Sequence, residues 1–214
     1  MAAVDSLRFY RVGDVYGEFS NFAAYPIVLD GVVWPTSEHY FQAQKFADPQ
    51  IAEQIRRTPS AGDAAGIGRR RDLPLRPGWS AARVNVMRRA VDAKFSQHRQ
   101  LADLLLGTGT ARLVEHTAND RFWADAGDGT GTNMLGRILA DQRSALRARH
   151  DQVDRARARY GKAAGWLLFA PDQVVVVEPW QDPPEILLAV TGGVGRVLWV
   201  EPPGPSGHLV GVGP

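Results

Sequence analysis

In WPTSEHYFQAQKF, residues 34–46, two helix-capping residues stand ahead of a run that carries a carboxylate, an amide and an amine. Thr36 and Ser37 are suited to the N-cap, and the helix they open is expected from about Glu38 to Arg57, broken or kinked at Asp48-Pro49. Helical spacing then sets Glu38, Gln42 and Lys45 at i, i+4 and i+7, on one face and close to the helix N-terminus. Such a row suits an active site, and it equally suits a solvated Glu–Lys stripe on an amphipathic helix. Spacing alone leaves both open. His39 lies off this row and reads as a hydrogen-bonded structural residue.

Working upstream, the opening residues read as β. Tyr25–Leu29 and Val32–Trp34 flank Asp30-Gly31, a pair suited to a type I′ hairpin, with Pro26 at a sheet edge or strand start. Before the hairpin, GEFSNF (17–22) places Ser20, Asn21 and Phe22 in a turn. Downstream, Val84, Met87, Val91 and Phe95 recur at helical spacing and predict a helix over about 80–96, with Arg88, Arg89 and Asp92 outside. Short helices are expected near 98–106 and 110–116, and a final one from about Asn133 to Arg147. Between them, residues 117–132 read as a loop. Its Gly127, Asp128, Gly129 and Gly131 would let backbone approach a ligand, and the helix beginning at Asn133 would present free N–H groups to an anion. The segment is neither a phosphate loop nor a dinucleotide fingerprint, since the lysine and the preceding strand are missing.

Composition changes along the chain. Residues 1–148 form one expected domain, 149–160 a charged connector, 161–201 a small β-rich appendage, and 202–214 (PPGPSGHLVGVGP after Glu201) a disordered end. Strands are expected in the tail at 166–169, 174–177, 186–190 and 197–200, docked as a small sheet on the main domain. The fold class is α+β and mainly helical. With no cysteine, the chain has no disulfide, thiolate nucleophile or Cys-ligated metal. Its five histidines show no ligand spacing, so neither metal nor cofactor is expected. A net charge of +2 announces no nucleic-acid surface, and no apolar run approaches the roughly 20 residues of a membrane span. MAAVDSLRFYRVGD lacks a basic segment followed by an apolar core, and a cytoplasmic protein with no membrane contact is expected. Of 25 cations only Lys45, Lys94 and Lys162 are lysine. Coding bias accounts for most of that, but a lysine, unlike an arginine, can lose its proton and serve as a nucleophile.

Three ordered segments, GEFSNF, WPTSEHYFQAQKF and DRFWADAGDGTGTNMLG with Arg143 after it, resemble the NADAR family of YbiA-like N-glycosidases. The likeness extends from about Phe9 to Leu146 and takes in IGRRRDLPLRPGW and MRRAVDAKF. Two departures stand out. Ala124 with an additional Asp125-Ala126 follows the loop tryptophan, where members of the family carry Gly, and Ala140 replaces a helix methionine.

The resemblance implies a compact single domain that cleaves a ribosyl N-glycosidic bond. Substrates of two kinds follow from it: phosphorylated ribosylamino-pyrimidines of riboflavin biosynthesis, or ADP-ribose attached to guanine in nucleic acid. A module that binds NAD or ADP-ribose without turnover is the alternative. Breaking such a bond develops positive charge on the sugar and requires a proton for the departing base. Glu38 is the candidate for proton transfer or charge stabilisation, and Lys45 for the nucleophile, as a Schiff base that the resemblance implies. Asn21, Gln42 and Asn133 are candidates to hold sugar hydroxyls, with Trp123 and Phe22 as flat surfaces for the base. Arg69 or Arg70 with the Asp128–Gly129 loop would meet phosphate. Ser20 and Trp34 complete the expected binding set.

Overall fold

The computed structural model describes residues 5–160 and three tail strands, and the chain divides into two units, 1–144 and 145–214. In the first, strand β1 (Ser6–Phe9) leads through a 3-10 turn (Gly17–Phe19) to the hairpin β2 (Ile27–Leu29) and β3 (Val32–Trp34). Asp30 and Gly31 have φ of 54° and 73°, the left-handed pair that a type I′ turn requires. Helices α1 (Ser37–Ala43), α2 (Pro49–Arg56), α3 (Ala61–Gly68), α4 (Trp79–Gln97) and α5 (Arg99–Gly107) follow, then strand β4 (Arg112–Glu115) and helix α6 (Met134–Tyr160).

Helix α1 occupies the centre of this unit. All seven of its residues are buried, and α2, α3 and α4 pack on it. A solvated stripe is excluded, because Glu38 and Gln42 are only 6% and 5% exposed. The helix expected from Glu38 to Arg57 is two helices. The chain turns after Ala43 and restarts at Asp48, whose carboxylate accepts from the Gln50 N–H, with Pro49 in the first turn where its missing N–H costs nothing. Helix α3, rich in Ala and Gly, was not anticipated. Ser60 caps it by accepting from the Asp63 N–H.

On α4 the core face is Val86, Met87, Ala90, Val91, Lys94 and Phe95, while Arg88, Arg89 and Asp92 lie outside as expected. Val84 is half-buried rather than a core residue. The helix expected at 110–116 is instead strand β4, which pairs in parallel with β1, Ser6 facing Arg112 and Phe9 facing Glu115. Four residues with Leu113 and Val114 both buried show no alternation, so a short apolar run here is ambiguous between strand and helix.

Helix α6 buries Leu135, Ile138, Leu139 and Leu146 and continues past Arg147. Residues 149–160, read as a connector, are helical in their entirety. In the second unit β5 (Trp166–Ala170) lies between β6 (Gln173–Val177) and β7 (Trp199–Glu201), antiparallel to both. These correspond to three of the four expected tail strands. The strand expected at 186–190 and the end 202–214 fall outside the described residues. No described helix is long and apolar enough to cross a membrane.

Candidate active site

The site begins with the turn before the hairpin. Lys94 of α4, 1% exposed, donates from Nζ to the carbonyls of Glu18 (2.5 Å) and Ser20 (2.8 Å), fastening that turn to the core. The Asn21 carbonyl then accepts from the Glu38 N–H at 3.1 Å, satisfying one of the free donors at the start of α1. Thr36 supplies the cap, accepting from the His39 N–H at 3.2 Å. His39 is buried, with Nδ1 2.8 Å from the Thr36 hydroxyl and Nε2 3.2 Å from the Thr58 carbonyl. Burial lowers its pKa, so the ring is a structural tie between α1 and the α2–α3 connection.

Around the start of α1 a cleft of about 290 Å³ is lined by Glu38, Gln42, Lys45, Arg69, Asn21 and Trp123, among others. Gln42 donates to Glu38 Oε1 at 2.5 Å, and Lys45 Nζ donates to the Gly68 carbonyl at 3.0 Å. Lys45 lies beyond the last turn of α1, yet a 3.2 Å bond from its N–H to the Gln42 carbonyl keeps it on the same side as Glu38. Burial raises the Glu38 carboxyl above its ordinary range, against the Gln42 hydrogen bond and the charges of Lys45 and Arg69. Burial also lowers the Lys45 ammonium, with Glu38 opposing and Arg69 assisting. Burial thus acts on both groups toward their neutral forms, an amine beside a carboxyl.

One wall is aromatic. Phe41 meets Trp123 edge to face at 5.3 Å and Trp79 at 5.2 Å, and Lys45 Nζ stands 5.6 Å from the Phe41 ring centre. Trp123 is set by Asp120, whose Oδ1 accepts from the N–H groups of Phe122 and Trp123, both at 2.7 Å. Asp125 is 3% exposed and acts as a clip. Its N–H donates to the Glu115 carbonyl, its carboxylate faces His116 Nδ1 at 2.8 Å, and it accepts from the Gly127 N–H. Burial would raise its pKa, but those hydrogen bonds and the His116 charge outweigh it and hold the carboxyl low.

Seven of the twelve residues expected in the site line this cleft together: Glu38, Lys45, Asn21, Phe22, Gln42, Arg69 and Trp123. Ser20 lines an adjoining cavity. The other four serve elsewhere. Trp34 is buried against Tyr40 at 5.4 Å. Asn133 is 3% exposed and spends its amide on the Leu113 carbonyl and the Glu115 N–H, joining β4 to α6. Asp128 accepts from Thr130 within the exposed loop, where Gly129 has φ of 85°. Arg70, the alternative to Arg69, pairs with Asp72 at the surface. Tyr10, Gly68 and Glu115 were not singled out in the sequence; the first and last come from strand ends that only the parallel β1–β4 pairing brings to the cleft. Among the described residues no three His, Asp or Glu side chains gather to hold a metal ion.

The NADAR domain model matches residues 8–147. The chain is 54% identical to N-glycosidase YbiA of Escherichia coli (strain K12) over 140 residues, which is 65% of this chain and 88% of that one. It is 43% identical over 140 residues, 65% of this chain and 38% of the other, to Riboflavin biosynthesis protein VVA0006 of Vibrio vulnificus (strain YJ016). The NMR structure of E. coli YbiA superposes with a TM-score of 0.65 at 51% identity, covering 70% of this chain and 89% of that one. The enzyme class these findings define is the N-glycosidases. The chain belongs to the NADAR domain family.

Proposed function

We propose that the protein releases a nitrogen base from a phosphorylated ribosyl substrate through a Schiff base on Lys45. The observation that carries this is a lysine whose ammonium is destabilised by burial, sharing a cleft with the buried carboxyl of Glu38. The neutral amine forms a bond to C1′ while the electron pair of the C1′–base bond departs with the base, which takes up a proton. Loss of the amine protons and cleavage of the C1′–O4′ bond, with O4′ gaining a proton, give the open-chain imine. Water then adds at C1′, the C–N bond breaks, and the sugar leaves as the amine regains its protons. In this course Glu38 accepts and returns protons on the Lys45 side.

Supporting groups fit that course. The Asn21 side-chain oxygen is buried without a partner and lines the cleft, as an acceptor for a sugar hydroxyl requires. Arg69 meets phosphate, and Phe22 bounds the base. The riboflavin-biosynthesis name of the Vibrio relative favours a ribosylamino-pyrimidine phosphate over ADP-ribosylated guanine. Either substrate belongs to the cytoplasm.

Base release from a ribosylamino-pyrimidine phosphate, measured beside release of ADP-ribose from guanine in DNA, identifies the substrate. Lys45→Ala and Lys45→Arg are each expected to lower turnover by a factor of at least about 1,000, the scale of a lost nucleophile. Borohydride added during turnover is expected to leave a reduced sugar adduct on Lys45. Full turnover by Lys45→Arg would overturn the mechanism.

A further inference from the structure

Two cavities meet at Glu115. The cleft of Glu38 and Lys45 and a neighbouring cavity of about 410 Å³, which extends to Arg11, Val12 and Ser20, have Tyr10, Phe22, Glu115 and Asn119 in common. Glu115 ends β4, and its backbone is held on both sides. Its N–H donates to Asn133 Oδ1 at 3.0 Å and its carbonyl accepts from the Asp125 N–H at 3.0 Å. Glu115 lines both cavities, in the wall between them. One of its carboxyl oxygens, Oε2, is buried and has no partner. An ionised carboxylate in that position would leave a charged oxygen unsolvated, whereas a carboxylic acid is the form such a site tolerates.

The surroundings push the same way. Glu38 faces it from α1, and Asp120 and Asp125 face it from the long loop, all three as carboxylates or carboxyls. Tyr10 and Arg11 follow β1 on the outer side, Lys45 and Arg69 line the inner cleft, and His116 beside it is engaged with Asp125. Burial, reinforced by Asp120, Glu38 and Asp125, raises the Glu115 carboxyl to about 8. That shift favours the protonated carboxyl at neutral pH.

We infer that Glu115 is a second catalytic carboxyl, which gives its proton to the departing nitrogen heterocycle, and that the cavity between Tyr10, Phe22 and Arg11 is the site of that base. The inference rests on the N-glycosidase reading and adds the leaving-group side to it. As the C1′–N bond breaks, its electron pair goes to the heterocycle, the O–H bond of Glu115 breaks, and its proton forms the new bond to the base. Glu115 is left as a carboxylate and recovers a proton from solvent once the base has left. Proton donation of this kind is worth roughly 100- to 10,000-fold when the leaving group is a poor one, and little when the leaving group departs readily as an anion. The two carboxyls thus divide the work, Glu38 serving the amine and Glu115 the base.

The test compares two substrates: a ribosylamino-pyrimidine phosphate, whose base needs a proton, and p-nitrophenyl riboside 5-phosphate, whose phenolate does not. Glu115→Gln is expected to slow the first about 100-fold and the second by less than about threefold. In the unaltered protein the ratio of the two rates is expected to fall as pH rises through about 8, a readout that needs no variant to fold. Equal slowing of both substrates, or a rate ratio that does not change with pH, would overturn the inference. Lys45→Ala run in parallel separates the two proposals. Turnover that survives in Lys45→Ala but retains the leaving-group dependence on Glu115 removes the Schiff base and leaves Glu115 in place.

Discussion

A Cβ built on Gly68 would stand 1.8 Å from Gln42 Oε1 and 2.6 Å from its Cδ, in a site where Gln42 is already committed to Glu38. The same glycine's carbonyl receives Lys45 Nζ. Gly68 therefore sets the positions of Gln42 and Lys45 in the Glu38–Gln42–Lys45 row. Gly68→Ala is expected to cost about 1–3 kcal/mol of stability through overpacking and to cut turnover by about tenfold. Urea denaturation and base-release rates check this, and Gln42→Ala in the same chain should restore the stability without restoring the activity. Residues of this kind are hard to see in a sequence. The Glu38–Gln42–Lys45 row follows from helical spacing, but the partner that limits it comes from another helix, and Gly68 sits in an Ala-Gly run that advertises nothing. Glu115 is hidden for the same reason, since the groups that face it come from residues 10, 38, 120 and 125.

At the level of elements, α1 is a seven-residue helix with too few turns to hold itself in water, and its stability comes from its cap and from burial on three sides. Thr36 carries two of those duties, accepting from the His39 N–H and contacting the His39 ring. Thr36→Ala is expected to lose about 1–2 kcal/mol, and Thr36→Ser to recover most of it, both read as shifts in the denaturation midpoint. The cap, the I′ turn at Asp30-Gly31 and the break at Asp48-Pro49 were legible because each depends on chemistry within four residues of itself. The strand at 112–115 was not, because what makes it a strand is β1, far away in sequence. Arg- and Ala-rich sequence continues helix α6 through 149–160, the segment read as a charged connector.

For the molecule as a whole, two groups with shifted pKa values set opposing pH dependences. Glu115 has its pKa raised to about 8 in the folded chain, so between the ordinary carboxyl range and pH 8 the unfolded chain binds fewer protons and stability falls as pH rises. Lys94 has its pKa lowered by burial to about 7, so from pH 7 to the ordinary lysine range the unfolded chain binds more protons and stability rises with pH. Relative to the unaltered protein, Glu115→Gln is expected to flatten the loss of Tm between about pH 5 and 8. Lys94→Met is expected to flatten the gain between about pH 7 and 10. Thermal melts across that range check both. The scarcity of lysine takes on a physical meaning at Lys94, where a compact ammonium aimed at two carbonyls fills a space that a planar guanidinium would not fit.

The parallel pairing of Ser6–Phe9 with Arg112–Glu115 spans about a hundred residues of intervening chain, and such a closure comes late because its entropy must be met before it gains anything. Tyr10 and Glu115 occupy the two sides of that seam. During synthesis, then, the Glu38–Lys45 row is complete long before the wall that faces it exists. A nascent chain carries its amine and carboxyl in an unfinished, open half-site until β4 and the first turns of α6 have emerged and docked. The order of the elements thus makes catalytic competence a late event in the life of each molecule, coincident with the completion of its fold.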